Sequence, residues 1–254
     1  MNDLLIGPGG LNGIRFLGAL EYIHENNLLD LKKFYGCSIG SIIGIYYILG
    51  FKPREILDIF INMNILDVVK YDINNVPKNN SILDHSIMEK LFERLWGEIE
   101  EDITIEEFVN KTGVDINIHI TNITKNIYES FNIRTRPTIK LKDAIKASMS
   151  IPFVFPPVTI GPDQFVDGAC KNIIGGTPDD VFIYGYSIIT INKNSQYFMN
   201  IINSICNNEP PRSVFTVKCY GDKTSSLLNL NKQNNLLILD LYQSGMSDAI
   251  KELQ

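Results

Sequence analysis

The sequence predicts an α/β fold: a mostly parallel sheet covered by helices on both sides. Three observations lead there. Short apolar runs alternate along the chain with segments whose apolar residues recur at helical spacing, the pattern of strand–helix–strand units. The length of 254 residues suits one large domain, and no repeat, low-complexity tract or linker divides it, so residues 1–254 read as a single domain. Hydrophobic residues make up 44% and charged residues 20%, enough apolar side chain to cover a sheet and stay soluble.

The elements follow in order. Asp3 to Ile6 reads as a short buried strand, and the glycine-rich run Gly7 to Gly13 follows it. Apolar residues at 14, 16, 17, 20 and 23 mark a helix from Ile14 to Glu25. Lys33 to Gly36 enters a second strand, and the almost wholly apolar Ile39 to Leu49 suits a buried helix. Pro53 starts a helix running to about Met63, because proline is tolerated in a first turn. The Asn-rich stretch at about 64 to 82 is irregular, and helices are expected at about 85–97 and 104–111, with Asp84 beside His85 marking a start. Val114 to Thr121 alternates apolar and polar residues, which predicts a strand with one wet face near a sheet edge. Tyr128 to Ile133 pairs with it across the turn at Lys125-Asn126. A helix over Leu141 to Met149 precedes an extended loop held by Pro152, Pro156 and Pro157. Strands are expected at Gln164–Asp167, Val181–Ile188 and Leu236–Leu241, with helices around 196–206 and over Ser247–Leu253.

Charge and composition narrow the function classes. The net charge of −6 and the lack of a Lys/Arg cluster argue against nucleic acid or a strongly anionic membrane as main partner. The start carries no basic segment followed by a long apolar run, and the longest apolar stretch, Ile39 to Phe51, is short of the roughly 20 residues of a membrane span. The four cysteines have no CxxC spacing, so reduced thiols in a cytoplasmic protein are expected, and Cys37 and Cys170 read as small buried hydrophobes. No Cys/His/carboxylate cluster has metal spacing, so neither metal nor cofactor is expected.

Chemistry gathers at three places. Gly36-Cys37-Ser38-Ile39-Gly40 fits G-x-S-x-G between a strand and a helix, the setting of a nucleophile elbow, where Gly36 and Gly40 leave room for the tight turn. The Gly7–Gly13 loop has three candidate jobs beside a structural turn: bare amides at Gly9 and Gly10 forming an oxyanion hole, a dinucleotide loop, or a P-loop, whose G-K-[ST] ending it lacks. Asn12 stands where a dinucleotide fingerprint has its third glycine, although Asp30 is placed where a ribose-binding acid would be. Asp167-Gly168-Ala169 follows a short apolar strand. Histidines occur at His24, His85 and His119, all before Asp167, so a Ser…Asp…His order cannot be completed. His119 falls on the polar face of its strand and reads as an ordinary surface or satisfied residue, as does His24.

The glycine loop, the G-x-S-x-G motif, the run Ala147-Ser-Met-Ser-Ile-Pro-Phe-Val-Phe-Pro-Pro157 and the Asp-Gly-Ala motif, in that order, resemble the patatin-like phospholipase family across nearly the whole chain. The resemblance implies a three-layer α/β/α sandwich and hydrolysis of acyl esters of phospholipids or related lipids. It further implies Ser38 as nucleophile, Asp167 as its base without histidine, and Gly9 and Gly10 in the oxyanion hole. The implied partner is a lipid, met in transient contact with a membrane surface. Pro8 and Asn12 depart from the family loop, which usually carries glycine and a basic residue there, and this implies a less efficient oxyanion hole. The competing expectation is a lipid-binding or interaction protein whose altered loop has weakened the chemistry. Ile59 to Val69 reads as core packing, with a lipid-facing cover as the alternative.

Overall fold

Strands β1 (Asp3–Ile6) and β2 (Lys33–Cys37) lie parallel, with Leu4 beside Phe34 and Ile6 beside Gly36, and helix α1 (Gly13–Glu25) makes the crossover between them. This pairing brings the glycine loop and the serine motif to the same end of the sheet. Our computed structural model describes residues 2–10, 13–62, 80–97, 99–171, 181–186, 215–220 and 235–253. Beyond β2 come α2 (Ile39–Ile48), α3 (Pro53–Asn62), α4 (His85–Trp96) and α5 (Ile105–Thr112). Strands β3 (Asp115–Asn122) and β4 (Ile127–Phe131), helix α6 (Leu141–Met149), and strands β5 (Val158–Ile160) and β6 (Asp163–Asp167) follow. A single 3-10 turn at Gly168–Cys170, strands β7 (Val181–Tyr186) and β8 (Phe215–Tyr220), and helix α7 (Asn235–Leu253) complete the described elements.

Helix limits follow from local chemistry. The Asp84 carboxylate accepts the Ile87 N–H at 2.9 Å and starts α4. Thr104 and Glu107 form a reciprocal capping box at α5, which ends on Gly113 in the left-handed region.

The sheet runs β5-β6-β3-β2-β1-β7-β8, with β4 also paired to β3. Its core β3-β2-β1-β7-β8 is parallel, whereas β4, β5 and β6 run antiparallel, so the sheet is mixed. Leu4, Ile6, Phe34, Ile116 and Ile118 share one face and pack with Phe16 and Leu20 of α1, Ile42 of α2, Phe92 of α4 and Phe108 of α5. The alternating residues Leu5, Cys37 and His119 are buried as well, so both faces are covered.

Two expectations are corrected. The strand at 114–121 is no half-wet edge: β3 is paired by β2, β4 and β6, and its residues from Ile116 onward are all buried. Two of its polar side chains are bonded internally, Asn117 donating to the Phe34 carbonyl and Thr121 to that of Gly168. The strand expected at Leu236–Leu241 is part of helix α7, whose backbone meets α1 so closely that a Cβ at Gly18 would strike the Tyr242 carbonyl. The helix expected around 196–206 and most of Ile59–Val69 lie outside the described residues. Strands β5 and β8 were not expected.

Candidate active site

Ser38 follows the last residue of β2 and caps α2, with φ 54 and ψ −132. A side-chain-bearing residue held in that region costs about 1–3 kcal/mol, a strain that surrounding structure must hold in place. Its hydroxyl makes no capping bond and lies beside the Asp167 carboxylate, where it favours the charged form. The tight turn depends on Gly40, where a Cβ would collide with the Ile6 and Gly7 carbonyl oxygens. Gly36 sits inside β2, registered with Ile6 and Ile118, its missing Cβ leaving space for Ser41.

Asp167 ends β6 and is 4% exposed, as is Ser38. Its Oδ1 accepts the Ala169 N–H at 2.9 Å and faces the Cys37 thiol at 3.9 Å. Burial pushes the carboxyl up to about 6, against the opposing pull of hydrogen bonds from Ser38, Ala169 and Cys37. A carboxylate of that basicity, beside a serine hydroxyl, is suited to take its proton near neutral pH.

The glycine loop lies against the start of α2. Gly7 faces Gly40 through its carbonyl, and Gly13, at the far end, abuts the Ile39 side chain next to Ser38. Gly9 is buried over the Phe16 ring, and Gly10 adopts φ 52, which leaves its amide in a turn that a larger residue would strain. Leu11 and Asn12 lie outside the described residues.

His119 requires a correction. It is 2% exposed, stacked between Tyr35 and Tyr128 with ring centroids 6.0 and 5.4 Å away. Neither ring nitrogen has a hydrogen-bond partner, and burial depresses its pKa to about 3, so the ring stays neutral. The alternation of β3 suggested a wet face because it does not register cover from above the sheet. His24 bonds the Tyr47 hydroxyl at 3.4 Å, and His85 opens α4. Among the described residues no group of three His, Cys, Asp or Glu side chains is placed to hold a metal, and no helix is long and apolar enough to cross a membrane.

One participant escaped the sequence reading. Ser148 Oγ, in the run Ala147–Pro157 and on the helix expected over Leu141–Met149, accepts the Ser38 N–H at 3.0 Å. Its place in that run was the available signal.

Known proteins resemble this chain in sequence and in fold. "Probable lipid hydrolase 463L" of Invertebrate iridescent virus 6 is 28% identical over 176 residues, covering 66% of this chain and 60% of that protein. "Triacylglycerol lipase ptl3" of Schizosaccharomyces pombe is 26% identical over 172 residues, covering 62% of this chain and 34% of that protein. The match therefore spans less than two thirds of either relative's length. Among solved structures, VipD from Legionella pneumophila superposes with a TM-score of 0.59 at 14% identity, over 99% of this chain and 66% of that one. ExoU in its complex with SpcU, from the type III secretion system of Pseudomonas aeruginosa, gives 0.54 at 14% identity, over all of this chain and 51% of that one. These two show a shared fold. The patatin-like phospholipase family model matches residues 4–175, from β1 past Asp167. The chain belongs to the patatin-like phospholipase family.

Proposed function

We propose that this chain is a serine acyl hydrolase cleaving ester bonds of phospholipids or related lipids. The observation that carries the proposal is the strained Ser38 held beside the buried Asp167 carboxylate, whose pKa is lifted to about 6. Ser38 Oγ attacks the ester carbonyl carbon while Asp167 accepts its proton. The carbonyl oxygen becomes an oxyanion facing the Gly9 and Gly10 amides, with the N-terminus of α2 adding its positive end. Collapse of the intermediate breaks the ester bond, and Asp167 returns the proton to the departing alcohol. Water then attacks the acyl-Ser38 ester, Asp167 taking its proton, and the fatty acid leaves as Ser38 regains a hydrogen. No imidazole is needed, in keeping with a neutral His119.

A second reading rests on one observation. Pro8 has no N–H, so the loop has one backbone donor fewer than a glycine there would give. A protein that holds lipid on this fold with weakened turnover follows from it. Hydrolysis of a short-chain nitrophenyl ester separates the two. The parent should turn over, whereas folded Ser38→Ala and Asp167→Asn should each lose several orders of magnitude, the scale of losses at catalytic triads. A folded parent with no more activity than Ser38→Ala would leave the binding reading.

A further inference from the structure

We infer that Ser148 is a positioning residue for the nucleophile, its hydroxyl fixing the elbow that β2 alone would leave loose. The inference rests on Ser38 being the nucleophile. Strand pairing between β2 and β3 ends at Cys37, registered with His119. The next donor along β2 is the Ser38 N–H, which turns away with the elbow. Ser148 Oγ bridges that gap: it accepts the Ser38 N–H at 3.0 Å and donates its own proton to the His119 carbonyl at 2.7 Å. One side chain thus extends the ladder by a link while the backbone leaves it. Ser148 is completely buried, so no water replaces it cheaply.

A helix serine usually spends its hydroxyl locally, on the carbonyl four residues back. Ser150 does so, donating to Lys146 at 2.8 Å. Ser148 does not, and its partners lie 110 and 29 residues away in the chain. The same short segment also holds the base, because the Ser150 carbonyl accepts the Asp167 N–H at 2.9 Å. The end of α6 therefore ties both members of the pair, Ser38 through the Ser148 side chain and Asp167 through the Ser150 backbone. Removing the Ser148 hydroxyl frees one anchor and leaves the other, so the Ser38–Asp167 geometry loosens while the fold stays closed.

The test compares the parent with Ser148→Ala and Ser148→Thr, using a nitrophenyl ester, a fluorophosphonate probe that counts competent sites, and amide hydrogen exchange at Ser38. Per titrated site, Ser148→Ala should lower kcat by about 10²-fold, the scale of a misplacement of about 1 Å, with KM within about threefold. It should also speed exchange of the Ser38 amide. Ser148→Thr, which keeps a hydroxyl, should recover most of both. Should the alanine variant not fold, Ser148→Cys offers a near-isosteric thiol that bonds weakly and should show the same split at smaller size. A kcat per site equal to the parent's, or a Ser38 amide exchanging at the parent's rate, would overturn the inference. A parent that neither hydrolyses ester nor takes the probe at Ser38 would instead bring down the acyl hydrolase reading, and the positioning role with it.

Discussion

Asp167 and His119 are both buried and both titrate far from their ordinary values, in opposite directions. The Asp167 carboxyl sits at about 6 against an ordinary 3.8, so the folded chain holds its proton where the unfolded chain has lost it. Stability from this group therefore falls as pH rises from about 4 to about 6, and the full cost of the buried charge is present at neutral pH. His119 sits at about 3 against 6.5, so the unfolded chain takes a proton that the folded chain refuses. Its contribution falls as pH drops through that window. Between about 4 and 6 the two slopes oppose each other. Asp167→Asn, whose amide oxygen can still accept the Ala169 N–H, should stabilise the protein at pH 7 by on the order of 3 kcal/mol. It should also uncover the histidine slope, about 1.4 kcal/mol per pH unit below 6.5, in denaturant titrations across pH. Unchanged stability of the asparagine variant at pH 7 would mean that the carboxyl is not ionised against burial. The same ionisation sets the acidic limb of kcat/KM, expected near 6 in the parent, because Asp167 works as a base only when charged.

At the scale of elements, β1, β2, α2 and β6 make the site, and the glycine loop completes it. Gly10 at φ 52 is the sensitive point of that loop. Gly10→Ala should reduce kcat by roughly 10²–10³-fold, the loss of one oxyanion donor, with a smaller change in KM. A kinetically silent Gly10→Ala would remove the loop from the oxyanion hole. These elements were legible in the sequence because each has a strong local cause: a four-residue apolar strand, bare glycines, a serine flanked by glycines, and a helix over Leu141–Met149 read to its ends. The misread elements are those whose state depends on distant partners. Asn117, His119 and Thr121 mimic a wet face, yet they are covered by Tyr35, Tyr128 and the Gly168 turn. Leu236–Leu241 is a short apolar run that fits strand or helix equally, and its packing on α1 decides for helix.

At the scale of the molecule, the α/β class and the β3–β4 hairpin followed from the sequence, but the antiparallel placement of β5 and β6 did not. The antiparallel insertion of β5 and β6 beside β3 leaves no mark in periodicity, since a strand's direction is set by its connections. The insertion has a consequence for the site, because β6 brings Asp167 back beside the end of β3 and so to Ser38. The serine motif and the Asp-Gly-Ala motif were therefore readable separately, while their contact depends on a topology that neither motif encodes. Ser148 was invisible for the same reason, its role residing in bonds to β2 and β3.

The central claim is that this fold presents one activated serine. The measurement that tests it most directly is the site of covalent attachment of a fluorophosphonate probe to the folded parent, mapped by peptide mass spectrometry. The account predicts one adduct, on Ser38, that forms more slowly as pH falls below about 6, and no adduct on folded Ser38→Ala. Labelling of another residue in the parent, or equal labelling of Ser38→Ala, would contradict it.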